Sequence, residues 1–503
     1  MVVCLAIALV AAVVTFLDYT PRFSLWRGLG NSVVHRSPEY SRGNVVLIQV
    51  NDPWTRSFDP LHRVMAWRVL FPFVWHYGHL LPRWILAMPQ VGCVAVLWLV
   101  AWLTHRRLNR WLPTVLATLL FAALPWFFVS SGWLGYFDSW YVLGLLATAF
   151  VPSRIALVAA CLLTPWIDER FILALPATLL VRGVTLGIIE QKRWRDLRTD
   201  LILAVVASVP YLAIRAASWL RGDPDANAYV QAHIMTIRDV EWTRFVAGLW
   251  SGYRAGWIMI GVAVWQTVRR AGWVWGAALA FVAGAIVVGG LLIATDMSRS
   301  TTMICPLLLL GVWLWEATRP ASRAWLLPAV VVANFLLPAT HELWFKQFRL
   351  EHFPTELANW QAGPTPVFVA ADLIAEAETL LAAGNKGAAR KKLNAAIELD
   401  GSYAVAFAQR GLMRKDEGDR AGALVDANEA VRLDPTAPFG YLLRGYVRAE
   451  LGDRAGAIQD MQNVLGHSAP DWPMRTNAAQ LLERLSGGMV PQLSQPPVQG
   501  PAP

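Results

Sequence analysis

Long apolar runs joined by short polar segments set the pattern of the first two thirds of the chain. The runs lie at about 2–17, 84–103, 111–131, 139–152, 155–167, 171–181, 201–219, 252–268, 273–294, 303–315 and 325–340. A straight helical crossing of a bilayer needs ~20 apolar residues, so the pattern predicts an all-α protein whose residues 1–345 form a polytopic transmembrane helical bundle of about 11 spans. Several runs are short for a straight crossing, which predicts misplaced boundaries or helices in a thinned, protein-lined region. The first run, MVVCLAIALVAAVVTFL, has no basic segment before it and no clear small-x-small cleavage site, and reads as a retained span. The joint at 155–181 admits two readings. Either one long helix buries Asp168, Glu169 and Arg170 at its centre, or two short helices meet at an outer DER turn. Midplane charges are costly, which favours the turn.

From residue 370 the period changes. Gly384, Gly418 and Gly452 are 34 residues apart, as are Ala389, Ala423 and Ala457. EGDRAGALVDANEAVRLDP and LGDRAGAIQDMQNVL nearly copy each other, AGNKGAARKKLNAAIELDG is a looser copy, Gly411 and Gly445 recur at one position, and Pro435 closes the second unit. This pattern resembles the tetratricopeptide repeat (TPR) family. The resemblance implies that residues 370–485 form a soluble TPR α-solenoid of three units plus a capping helix at 474–485, binding a protein or peptide partner in a concave groove. Arg410, Arg414, Arg444 and Arg448 occupy matching repeat positions and are candidates for a basic groove stripe, with solvated surface arginines as the equal alternative. Residues 346–369 read as a linker, and the Pro/Gln/Gly-rich tail 486–503 as disordered.

Composition fits this division. Of 503 residues 56% are hydrophobic, 16% are charged and 26 are Trp, which belongs to a membrane protein. Residues 370–485 hold 14 Lys/Arg against 16 Asp/Glu, so the basic excess lies in the rest of the chain. Such an excess points to cytoplasmic loops and membrane lipid headgroups and predicts no nucleic-acid partner. With the N-terminus cytoplasmic, the inside loops at 105–110, 152–154, 182–198, 269–270 and 316–323 carry 13 Lys/Arg and the short outside loops only five. That satisfies the positive-inside rule. An odd number of spans then places the repeats outside the cytoplasm, the expected location being a bacterial inner membrane. Cys4, Cys93, Cys161 and Cys305 all lie in apolar runs and read as core residues. No glycine-rich phosphate loop, nucleophile elbow or zinc motif occurs, which argues against an ATPase, serine hydrolase or metalloprotease.

The chemistry-bearing stretch is the long first outer loop, 18–83, with NDPWTRSFDPLHR at 51–63. The residues after it predict an amphipathic helix over about 61–82, lying in the interface with Trp67, Trp75 and Tyr77 at headgroup depth. A long first outer loop bearing acids, many spans and a C-terminal domain on the far side resemble the GT-C superfamily of polytopic glycosyltransferases. That resemblance implies a glycosyltransferase using a polyprenyl-phosphate-linked sugar. Asp52 and Asp59 become candidate catalytic bases, and Asp138 in GYFDSW stands where such enzymes carry a second-loop acid. Arg63, Arg170 and Arg299 are candidate phosphate ligands, with Asp168, Glu169 and His62 as further substrate-binding candidates; Asp296 is charged on the same face. His62, His76 and His79 are candidates to assist or to hold a divalent metal ion, although 76 and 79 form the sole helical i, i+3 pair. Each acid also has a plain structural reading, as a helix cap or a local ion pair. The alternative function is a non-catalytic membrane anchor displaying the repeats for envelope assembly, and a lipid-linked-glycan transporter ranks last, because Arg215 is the clearest of few polar groups inside the runs.

Overall fold

The structure, a computed structural model, describes residues 1–20, 23–28, 41–55, 63–221, 242–293, 296–342, 347–362, 366–435, 437–468 and 472–487. The described residues are almost all helical and fall into two compact units, one within residues 1–361 and one within residues 362–487.

In the first unit α1 (Val2–Asp18), α4 (Met88–Leu108) and α5 (Trp111–Ala122) pack together, and α4 also packs on α7 (Asp138–Phe150), which packs on α9 (Arg170–Thr185). Four helical stretches are long and apolar enough to cross a membrane: Pro82–Leu108, Trp194–Leu220, Trp273–Leu291 and Met297–Thr318. A fifth arises if α5 and α6 (Pro125–Gly132), bent by 65°, count as one broken span. Val2–Asp18, Arg154–Trp166 and Ala321–Leu336 are apolar but shorter. The bend follows from Pro125, whose missing N–H and ring end a helix at the residues before it. The buried Arg254 guanidinium donates to the freed Ala123 carbonyl and, at 2.7 Å, to that of Asn334.

Three expectations meet the structure here. At 155–181, α8 (Arg154–Leu163) and a 3-10 turn (Thr164–Trp166) end before α9 begins at Arg170, so the DER residues form a turn. The single amphipathic helix expected over 61–82 is instead three short pieces: Arg63–Trp67, α3 (Leu70–Tyr77) and Pro82–Ala87. Pro72 fits only a helix's first turn, and His79 leaves α3 in the left-handed region at φ 51°. The stretch expected as a linker holds strand β2 (Gln347–Arg349), paired with β1 (Thr340–Glu342), and a helix, Phe353–Gln361, that belongs to the first unit. There Phe353 stacks on Phe23, and Glu356 accepts from the Ser24 backbone at 2.5 Å.

The second unit is a run of helix pairs: Pro366–Ala382 with Lys386–Leu399, Ala404–Asp416 with Arg420–Leu433, Pro438–Glu450 with Arg454–His467, and a final Arg475–Ser486. The 34-residue period is a cap chemistry. Gly384, Gly418 and Gly452 take φ of 77°, 86° and 85° as each first helix ends, and the next residue, Asn385, Asp419 or Asp453, caps the second helix. Ala389, Ala423 and Ala457 are fully buried. Asp426 and Asp460 are buried too, and two arginines of the preceding helix neutralise each. One period earlier the pair is reversed and exposed, as Glu376 with Lys392 at 2.5 Å.

Two variants test these contacts. At Gly311 a Cβ would meet the Met259 carbonyl oxygen at 1.9 Å, so Gly311→Val should destabilise the first unit by about 1–3 kcal/mol, read by thermal melting in detergent. Asp426→Ala takes the buried carboxylate from Arg410 and Arg414 and should cost about 3 kcal/mol, whereas Glu376→Ala at the exposed pair should cost under ~1 kcal/mol. Hydrogen exchange of Ala404–Leu433 in the full-length protein separates the two.

Candidate functional site

Asp138 opens α7 and is 1% exposed. Its Oδ1 accepts from Arg170 Nη2 at 2.6 Å and from Arg299 Nε at 2.9 Å, and its Oδ2 from Arg299 Nη2 at 2.8 Å. Arg170 also grips Asp168 with two bonds, Nε to Oδ1 at 2.8 Å and Nη2 to Oδ2 at 2.7 Å. Asp168 in turn lies 3.4 Å from Arg68, which forks onto Glu169 at 3.1 and 2.8 Å. On the other side Arg299 Nη1 donates to Asp296 Oδ2 at 2.7 Å, and that oxygen is 3.2 Å from His341 Nε2. Ser298 Oγ is 3.0 Å from His341 Nδ1. The result is one string of alternating charge, Glu169, Arg68, Asp168, Arg170, Asp138, Arg299, Asp296 and His341.

Local chemistry positions each member. Asp168 and Asp296 accept from backbone N–H groups two and three residues on, of Arg170 and Arg299, as turn and cap residues do. Gly135 stands at φ 77°, and a Cβ there would meet the Arg42 carbonyl carbon and oxygen at 2.7 Å. Only glycine therefore lets the 133–137 turn press on the start of α2 (Ser41–Asn51). That contact brings Arg42 Cζ to 4.2 Å from the centre of the Tyr136 ring, with Arg299 Cζ at 4.8 Å from the same ring.

The electrostatics favour the ionised form of Asp168 and Asp296. Burial alone would raise the Asp168 carboxyl, but Arg170 and Arg68 outweigh it and hold it well below the usual carboxylate range. Burial likewise opposes ionisation of Asp296, and His341 and Arg299 overcome it. Charge-assisted, forked guanidinium–carboxylate bonds are the pairs best able to offset desolvation.

Of the residues singled out in the sequence, Asp138, Asp168, Glu169, Arg170 and Arg299 come together. Asp52 does not. It is exposed at the end of α2, about 15 Å along that helix from Arg42, and its Oδ1 accepts from the Trp54 backbone at 3.0 Å. Asp59 and His62, and the side chain of Arg63, lie outside the described residues. His76 Nδ1 is 2.8 Å from the Val50 carbonyl oxygen, and His79 is exposed. Among the described residues no group of three or more His, Cys, Asp or Glu could hold a metal ion. Arg68, His341 and Arg42 join the site without having been anticipated. Arg68 looked like the polar side of an interfacial helix, and neither His341 nor Arg42 stands in any motif.

In the second unit Arg410 and Arg414 both donate to Asp426, and Arg444 and Arg448 both to Asp460, each at 2.7–3.2 Å. Phe407, Arg410, Arg414 and Arg432 flank a cleft of about 460 Å³. Compared with known proteins, the chain matches no family model and no curated protein.

The acid limb of stability follows from the carboxyl shifts. A carboxyl held below its unfolded value of about 3.9 contributes stability that is present above that pH and lost as pH falls through the folded value. Asp168 and Asp296 are both of this kind. The melting temperature set by this network should stay level from pH 8 to about pH 5 and fall below about pH 4. Asp168→Asn should melt lower at neutral pH and lose part of that acid dependence, measured by melting scans in detergent.

Proposed function

We propose that the first unit is a GT-C-like integral membrane glycosyltransferase that moves a sugar from a polyprenyl-phosphate-linked donor to an extracytoplasmic acceptor. The second unit, read as a TPR array, binds the acceptor or a partner protein. One observation carries this reading: residues 68, 138, 168–170, 296–299 and 341, from five separate segments, form a single buried cluster. Pooled arginines beside a carboxylate are what phosphate departure and acceptor deprotonation need. The outer side of the membrane is supported by the positions of these segments, which all belong to the loops expected outside.

In the chemistry proposed, the acceptor hydroxyl attacks the anomeric carbon as a carboxylate takes its proton. The bond from that carbon to the phosphate oxygen breaks, and the electron pair leaves with the polyprenyl phosphate. In the resting protein Asp138 is a poor base, because both oxygens accept from guanidiniums. A donor phosphate competes for Arg170 and Arg299 as a bidentate partner. Once they turn to it, an Asp138 oxygen is free to accept a proton, so the base is unmasked only with donor in place.

The second reading is a non-catalytic scaffold, favoured by the saturation of Asp138 in the resting state. Transfer from a panel of polyprenyl-phosphate sugars, in proteoliposomes, separates the two. Asp138→Asn, Asp52→Asn and Asp59→Asn are made singly and checked for folding by melting. Asp138→Asn should lower transfer by at least ~100-fold. Full activity in all three variants rejects these acids as the base, and wild type inert on every donor rejects the enzyme reading.

A further inference from the structure

One cation of the cluster is not part of the alternating string. Among the described residues Arg42 makes no ion pair, and its Nη1 is buried without a hydrogen-bond partner. A buried guanidinium N–H whose hydrogen bond is left unmade carries its desolvation penalty uncompensated. Its one described contact is the face of Tyr136, the ring that Arg299 also approaches. Two features set its place: the close approach of the left-handed Gly135 to the Arg42 backbone, and the stacking on Tyr136. By contrast Arg68, Arg170 and Arg299 already spend their donors on carboxylates. A half-buried guanidinium beside Arg299, with no ion pair among the described residues, has the chemistry of an anion ligand, since its planar fork matches two phosphate oxygens.

We propose that Arg42 is a binding residue for the phosphate group of the substrate, the cation that meets the anion before Arg170 and Arg299 release Asp138. The inference rests on the lipid-phosphate reading above, and it assigns a residue that reading did not contain. The ligand chemistry is a phosphate group. Its source is either a lipid headgroup or a free phosphate, and the arms below tell them apart.

The test uses full-length protein in detergent, as wild type, Arg42→Gln and Arg42→Lys, without any turnover. Equilibrium binding is measured for C55 polyprenyl phosphate, C55 polyprenol and inorganic phosphate, and each apo protein is melted. Wild type should bind the polyprenyl phosphate at least tenfold more tightly than the polyprenol. Arg42→Gln should lose roughly tenfold or more of that affinity, as removal of one charge-assisted bond implies. Arg42→Lys, with charge but no fork, should fall between. Because Arg42 has no ion pair among the described residues to abandon and only the Tyr136 stacking to lose, Arg42→Gln should melt within a few degrees of wild type. Inorganic phosphate bound by wild type as tightly as the lipid, and lost in Arg42→Gln, supports the anion site with the free ion as its source. Wild-type affinity for the polyprenyl phosphate in Arg42→Gln overturns the assignment while leaving the donor reading intact. Lower melting with unchanged binding does the same and marks a packing role. Wild type that prefers no phosphate over polyprenol overturns the donor reading, and this assignment with it.

Discussion

Asp138 takes hydrogen bonds from an arginine 32 positions away and from another 161 positions away, with both of its oxygens engaged. The bonds tie the start of α7 to the start of α9 and to the helix Met297–Ser300, and through Asp296 to the β1 strand that carries His341. Desolvating this many charges is unfavourable unless every partner is present, because a buried pair that loses one member strands the other. The cluster therefore forms as a unit or fails as a unit. The packing of α4, α7 and α9 around it must bring all five segments to register before any pair gains.

Ion pairs elsewhere in the first unit sort its loops in a way that agrees with the charge count. Arg110 and Arg319 both hold Glu316, at 3.0 and 2.7 Å. Arg154 and Arg182 both hold Asp200, at 2.9 and 2.8 Å. Each of these pairs joins segments expected inside. The Asp138 string joins only segments expected outside. Helices that alternate direction would produce this separation, since charged ends then gather at two levels with apolar helix between them. The agreement is independent of the positive-inside argument, which counts charges and ignores partners.

What the sequence made legible follows from the range of the forces involved. The helical pairs of the second unit were readable, because Gly418 and Asp419 act on neighbours a few residues away and leave a mark at every period. The apolar runs were readable as helices, yet their number as crossings was not. Hydropathy does not reveal that Pro125 breaks one run into two helices or that Met297–Thr318 continues through the polar MSRS stretch. Asp138, Asp168, Glu169, Arg170 and Arg299 stood out as charges at the ends of apolar runs. Arg68 and Arg42 did not, for their partners are set by packing between distant segments. The role of Arg410 and Arg414 was hidden in a similar way. Arginines at matching repeat positions suggest a surface stripe until the buried Asp426, on the next helix, is seen to take them.

The same device, an aspartate held by two arginines, serves both units, and the difference between the two uses is instructive. In the second unit the arginines come from one helix, 16 and 12 positions from the carboxylate they neutralise. A single repeat supplies every part, the arrangement recurs at Asp460, and a swapped, exposed version at Glu376 and Lys392 is tolerated. That is the behaviour of a structural clasp, worth a local increment of stability in each repeat. In the first unit the Asp138 network follows no sequence repeat, although Asp200 and Glu316 are each held by two arginines as well. The arginines come from three helix starts or turns, the acids from four positions, and Arg42 is present beyond what the carboxylate string has paired. Packing alone gives little reason to hold a half-buried guanidinium with no carboxylate partner against Tyr136, since an apolar side chain of similar volume would fill the place at lower cost. An uncommitted cation inside an otherwise matched network is instead what a site needs if its last member arrives from outside.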